Sequence, residues 1–139
     1  MRYWDASALV ALIVDEQTTS DREALLREDP QVVTWWASRV ECASAINRLH
    51  RESGMSEEGL ERAMSDLGTL ASSWAEVQPT ERVRARALRL LRVHPLRAAD
   101  ALQLAAALVV SDENPGALSF VSSDHNLNSA AAKEGFQIL

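Results

Sequence analysis

The chain has 139 residues, 47% of them hydrophobic, which is enough for one buried core and too apolar for a disordered segment. Its net charge of −6, from 20 acids against 14 bases, has the wrong sign for holding nucleic acid through a broad positive field. A single cysteine, Cys42, excludes an internal disulfide and a thiolate cluster for zinc.

The elements follow in chain order. Arg2–Trp4 predicts a short strand, closed by Asp5. Ser7–Val14 is apolar nearly all round and predicts a buried helix, and Ser20-Asp21-Arg22-Glu23 has the form of a capping box that starts a second helix reaching about Glu28. Gln31–Thr34 follows Pro30 as a second strand, and Trp36–Glu52 predicts a helix stopped by Gly54. Leu60, Met64, Leu67 and Leu70 recur at helical spacing in a helix from Ser56 to about Ser73. Ala75–Gln78 reads as a third strand, and Thr80 caps a helix running to about Val93, before Pro95. Arg97–Val110 predicts a further helix, closed by the turn residues Asp112 to Gly116. Ser119–Ser122 is a fourth strand, Leu127–Glu134 a short helix with Gly135 as its C-cap, and Phe136–Ile138 the last strand.

Short strands alternating with helices, with no tight hairpin between them, predict a parallel sheet covered on both faces. The expectation is therefore one α/β domain over residues 1–139. No apolar run nears the ~20 residues that span a bilayer. The N-terminal Met-Arg-Tyr-Trp-Asp lacks the apolar stretch of a signal peptide, so the chain is expected in the cytoplasm.

Four acids stand on or beside apolar elements, where carboxylates are rare without a partner. Asp5 and Asp124 follow predicted strands, Asp100 falls in the first turn of a helix, and Glu41 sits inside another helix. In an open parallel sheet, ligands bind beyond the carboxyl ends of the strands, where the strand order reverses. Acids gathered there would repel one another unless a divalent cation lay between them. Each has an ordinary reading as well: Asp5 and Asp124 as helix N-caps, Asp100 as a partner of Arg97 or of the helix dipole. Glu41 is the hardest to explain that way. Its helical neighbours Ala37, Ser38, Ser44 and Ala45 offer no basic group.

Around these acids the chain resembles the PIN-domain family. Tyr3-Trp4-Asp5-Ala6-Ser7-Ala8-Leu9-Val10 resembles its opening block, and Arg39-Val40-Glu41 its helical glutamate. Leu96-Arg97-Ala98-Ala99-Asp100-Ala101-Leu102-Gln103-Leu104-Ala105 is similar to its second aspartate block. Phe120-Val121-Ser122-Ser123-Asp124, followed by Leu127, Ala131, Ala132, Glu134 and Gly135, is similar to its closing block, with Ser122 where Thr is more usual. The resemblance points to the VapC-type toxins of bacterial toxin–antitoxin pairs. It implies a PIN-like three-layer sandwich whose five-stranded parallel sheet runs in the order 3-2-1-4-5. It also implies an endoribonuclease that uses Mg2+ or Mn2+, with Asp5, Glu41, Asp100 and Asp124 as its catalytic, metal-holding acids. Ser7 and Ser122 would orient carboxylates or water. An RNA substrate, a cognate VapB-type antitoxin and a homodimer complete what the resemblance implies.

The chemistry implied is phosphodiester hydrolysis by metal-activated water. His50 and His94, near helix ends, read as solvated or capping residues, and His125 beside Asp124 as a group that could touch substrate. Arg82, Arg86 and Arg89 form one stripe, either a solvated helix face or an RNA track. Trp35 and Trp36 read as starting a helix and burying themselves, or leaving one ring for a partner. Two other classes remain open. A dehalogenase-like aspartyl phosphotransferase would need a second acid two residues after Asp5, where this chain has Ser7. A catalytically idle PIN-like module would bind RNA or protein without cutting.

Overall fold

The structure, a computed structural model, describes residues 1–139. Five parallel strands form one sheet: β1 (Arg2–Trp4), β2 (Val32–Trp35), β3 (Ala75–Val77), β4 (Ser119–Val121) and β5 (Gln137–Ile138). Their order is β3-β2-β1-β4-β5, as the resemblance implies. The chain starts in the middle, winds outward to β3, then crosses back to β4 and β5. Strand order therefore reverses between β1 and β4, which pair through Tyr3 with Phe120 and Trp4 with Val121.

Seven α-helices cover the sheet: α1 (Ala6–Val10), α2 (Thr19–Glu28), α3 (Ser38–Glu52), α4 (Glu57–Ala71), α5 (Glu81–Val93), α6 (Ala98–Val110) and α7 (His125–Glu134). Successive side chains of a strand face opposite sides, and β1 shows the consequence. Tyr3 joins a core with α5, α6 and α7, whereas Trp4 joins a second core with α1, α3 and α4. Both rings are fully buried, and Tyr3 stacks on Phe120 with centroids 5.2 Å apart. The result is three layers with a core on each side of the sheet. No helix is long and apolar enough to cross a membrane.

Several predicted boundaries move by a few residues, and three of the shifts have a local reason. The first helix ends at Val10, because Leu12 and Ile13 bond back to Leu9 and Val10 in tighter i→i−3 turns. The capping box does not form. Thr18 occupies the N-cap of α2 without a side-chain bond, and the Thr19 hydroxyl instead takes the Glu16 amide at 2.8 Å. The third helix starts at Ser38 and not Trp36, because the Trp36 amide is held by the Val77 carbonyl at 3.1 Å, extending the β2–β3 ladder. Trp35 is thereby a buried strand residue, and Trp36 is left 50% exposed. At the other end of the chain Gly135 closes α7 with φ of 104°, a left-handed conformation that favours glycine.

Candidate active site

Asp5 and Asp124 follow two neighbouring strands, Asp5 directly after β1 and Asp124 three residues after β4. Both are N-caps. The Ala8 amide donates to Asp5 Oδ1 at 3.2 Å, and the Leu127 amide donates to Asp124 Oδ1 at 2.8 Å. Capping occupies one oxygen of each carboxylate, and both residues still line the cleft above the sheet. The ordinary and the functional readings of these acids are therefore compatible.

Two serines lace the loops together. Ser7 Oγ donates to Asp5 Oδ1 at 2.8 Å and accepts from the Ser123 amide at 2.9 Å. Ser122 Oγ accepts from the Asp124 amide at 3.0 Å and lies 3.4 Å from Ser7 Oγ. Since the Ser7 proton is committed to Asp5, Ser122 is the donor in that pair. Arg22 reinforces the same loop from α2. Its buried guanidinium donates to the Ser122 carbonyl at 2.9 Å and to the Leu139 carbonyl at 3.0 Å.

Glu41 has a partner that its own helix could not supply. Gln103 Nε2, from α6, donates to Glu41 Oε1 at 3.2 Å and to Ser38 Oγ at 2.9 Å. The buried Tyr3 hydroxyl donates to Gln103 Oε1 at 2.7 Å, which fixes the amide with its NH2 toward Glu41. Thr34 Oγ1 lies 2.6 Å from both the Trp4 carbonyl and Ser38 Oγ. A carbonyl only accepts, so Thr34 gives its proton to Trp4 and receives one from Ser38. Every proton in this buried network then has one direction: from Tyr3 through Gln103 the donors run to Glu41 on one branch, and through Ser38 and Thr34 to the Trp4 carbonyl on the other. In sequence Gln103 is marked only as a polar residue on an alanine- and leucine-rich helix, a signal that does not name its partner.

Asp5, Glu41, Asp100 and Asp124, from four separate elements, line a single cleft of about 910 Å3. Burial pushes Asp5 up to about 6, against the hydrogen bonds from Ser7 and Ala8. Burial also pushes Glu41 up to about 7, opposed by the Gln103 bond and assisted by the charges of Asp5 and Asp100. Asp100 is raised by burial and by Asp124. As placed, no three of these acids converge on one point at ligating distance. The donors suit a hard cation all the same: the lining holds five acids against two arginines, with hydroxyls and no imidazole or thiol.

The sequence profile of the family described as PIN domain matches residues 2–133. This chain belongs to the PIN-domain family. Among curated relatives, Ribonuclease VapC45 of Mycobacterium tuberculosis (strain CDC 1551 / Oshkosh) is 32% identical over 136 residues, covering 98% of this chain and 92% of the relative. Ribonuclease VapC49 of Mycobacterium tuberculosis (strain ATCC 25618 / H37Rv) matches to the same 32% and the same coverage. Among solved structures, PAE2754 from Pyrobaculum aerophilum superposes with a TM-score of 0.60 at 21% identity, over 94% of this chain and 84% of that one, a likeness of fold.

Other sequence candidates fall outside this PIN-domain cleft. His94 is not solvated: it is buried at the C-cap of α5, with Nε2 2.7 Å from Glu134. His50, in the last turn of α3, has Nδ1 2.7 Å from the Met55 carbonyl of the following loop, and His125 is exposed but does not line the cleft. The arginine stripe on α5 is neutralised. Arg82 pairs with Asp112 at 3.1 Å, Arg86 with Glu113 at 2.8 Å and Arg89 with Glu134 at 3.1 Å. The basic residues that do line the cleft are Arg48 and Arg97. Cys42 is a buried structural thiol, donating to the Ala6 carbonyl and pushed up by burial to about 12.

Proposed function

We propose that this PIN-domain chain is an endoribonuclease dependent on Mg2+ or Mn2+, the toxin component of a toxin–antitoxin pair. One observation carries the reading: four acids from separate elements line one cleft at the point where strand order reverses. The ribonuclease names of relatives aligned over 98% of the chain support it.

Asp5, Glu41, Asp100 and Asp124 are the residues that would hold the ion. A bound divalent cation there supplies charge to neutralise phosphoryl oxygens and to acidify water. The chain supplies the rest. Gln103 holds the Glu41 carboxylate in one orientation, and the capping amides of Ala8 and Leu127 fix Asp5 and Asp124. Ser7 and Ser122 tie the two loops that carry those aspartates. No histidine lines the cleft to act as acid or base.

In a toxin of this kind a VapB-type antitoxin would block the cleft, and an acidic cleft favours a basic inhibitory segment. A homodimer is part of the proposal, with Leu88, Leu91 and Val93 of α5 offering exposed apolar surface. The deciding experiment is incubation of pure protein with total RNA, with and without Mg2+ or Mn2+, beside an Asp5→Asn control. Cleavage that requires the ion and Asp5 supports the reading. Intact RNA throughout would leave a binding module that does not cut.

A further inference from the structure

We propose that Arg48 and Arg97 are two phosphate-binding positions in the lining of the acidic cleft, which seat the backbone of a polynucleotide strand beside the acids. The inference rests on the nuclease reading and adds to it the residues that grip the substrate. A strand carrying one negative charge per phosphate has to enter a cleft lined by five acids, in a protein of net charge −6. Metal ions would offset charge at the acids themselves, but the approaches to them need fixed cations. Most arginines are already committed: Arg82, Arg84, Arg86 and Arg89 to acids on or near α5, Arg2 to Glu28, Arg27 to Glu23 and Arg22 to buried carbonyls. Arg48 and Arg97 form no ion pair or side-chain hydrogen bond, and they are the basic residues of the cleft lining.

Their placement is as informative as their freedom. Glu41, Ser44, Ala45 and Arg48 share one face of α3 at i, i+3, i+4 and i+7, and all four line the cleft. At 1.5 Å per residue Arg48 stands ~10 Å beyond Glu41, with a floor of two small side chains between them over which a strand can pass closely. Glu16 faces the same end without pairing to Arg48. Arg97 lines the same cleft from a different element, as the N-cap of α6 three residues before Asp100, and its charge acts on that carboxylate. The cleft lining thus carries one guanidinium from α3, a helical rise beyond Glu41, and one from the start of α6, a turn before Asp100. The planar fork of arginine grips phosphate through paired N–H donors.

The test uses a fluorescent 20-nucleotide random-sequence single-stranded RNA and the Asp5→Asn protein, so that binding is read without cleavage. Arg48→Gln and Arg97→Gln should each raise Kd roughly three- to tenfold and flatten the slope of log K against log salt by about 0.7. The double variant should flatten it by about twice as much, and Arg48→Lys and Arg97→Lys should restore most of the slope. Arg84→Gln removes an equal charge on α5, outside the cleft, and should change neither quantity. Equal effects from Arg84→Gln, unchanged binding in both cleft variants, or no binding by the Asp5→Asn protein would each overturn the proposal. Cleavage by the wild-type protein is assayed separately. RNA cut normally while both cleft variants bind unchanged would sink this proposal and spare the nuclease reading. Uncut RNA together with the predicted loss of slope would sink the nuclease reading and leave two phosphate-binding arginines.

Discussion

Gln103 and Glu41 meet at 3.2 Å across the space between α6 and α3, and the Tyr3 hydroxyl sets which way the Gln103 amide faces. The contact positions an acid whose own helix gives it no basic neighbour. Gln103→Met keeps bulk but removes the NH2 from Glu41 and Ser38 and the acceptor from Tyr3. RNA cleavage should fall about tenfold through loss of positioning, and stability by ~2–4 kcal/mol, because buried polar groups are left unpaired. Tyr3→Phe, which only frees the amide to turn, should cost ~1 kcal/mol and reduce cleavage less. Urea melts and initial cleavage rates on both variants check this, and equal cleavage by wild type and Gln103→Met would remove Gln103 from the positioning role.

Asp5→Asn and Asp100→Asn should each abolish RNA cleavage with an unchanged circular-dichroism spectrum. An amide is a weak ligand for a hard cation and leaves less charge to hold it. At position 5 asparagine caps a helix about as well as aspartate, so α1 survives. The metal-free Asp5→Asn protein should in fact melt higher at pH 7.5, by ~2–4 °C, since a buried unpaired charge has been removed. A lower melting temperature than wild type would show that the Asp5 charge already has a stabilising partner.

The raised carboxyls set a pH dependence whose sign is fixed. Asp5 near 6 and Glu41 near 7 in the fold both lie above their ordinary values of 3.8 and 4.5. Between those limits the folded chain binds more protons than the unfolded one, so stability falls as pH rises. Metal-free protein should therefore melt highest near pH 4 to 5 and lose stability up to about pH 7, with Asp5 contributing at most ~3 kcal/mol. Millimolar Mn2+ or Mg2+ should raise the melting temperature at pH 7.5, and the gain should shrink at pH 5, where protons compete for the same oxygens. Glu41→Gln should weaken the gain. Melting curves that ignore Mn2+ over this range would overturn the metal site.

Arg22 ties α2 to the Ser122 carbonyl and to the Leu139 carbonyl near the chain end. Arg22→Met keeps the aliphatic stem but leaves both carbonyls without that donor, which should cost ~2–3 kcal/mol. The β4–α7 loop carries Asp124, so cleavage should also drop several-fold. Denaturant unfolding that matches wild type would show that the Asn128 amide, 3.1 Å from the Ser122 carbonyl, and water suffice without the guanidinium.

Light scattering at tens of micromolar should return about twice the 15.3 kDa chain mass, in keeping with the proposed homodimer. Leu88→Asp together with Leu91→Asp should return the chain mass if exposed α5 forms the contact. A clean monomer for the wild-type protein would remove the dimer from the proposal.

The periodicity of the chain, by itself, determined the strand and helix alternation, and the residues around Asp5, Glu41, Asp100 and Asp124 carried the family. These signals are local: hydrophobic spacing, caps at Ser56, Thr80 and Gly135, and an acid placed just past each of two strands. Local signals failed where two options competed for the same backbone. Ser20 to Glu23 had the form of a capping box, but the Thr19 hydroxyl was drawn to the preceding turn, and the Trp36 amide was captured by a neighbouring strand. Only the tertiary structure decided which side chains meet. Gln103 is 62 residues from Glu41, and Ser7 is 115 from Ser122, so no spacing rule connects either pair. The same holds for charge: in sequence the arginines of α5 were as eligible for RNA as Arg48 and Arg97. The fold separates them by bringing Asp112, Glu113 and Glu134 against Arg82, Arg86 and Arg89 and leaving Arg48 and Arg97 without an ion pair in the lining of the acidic cleft.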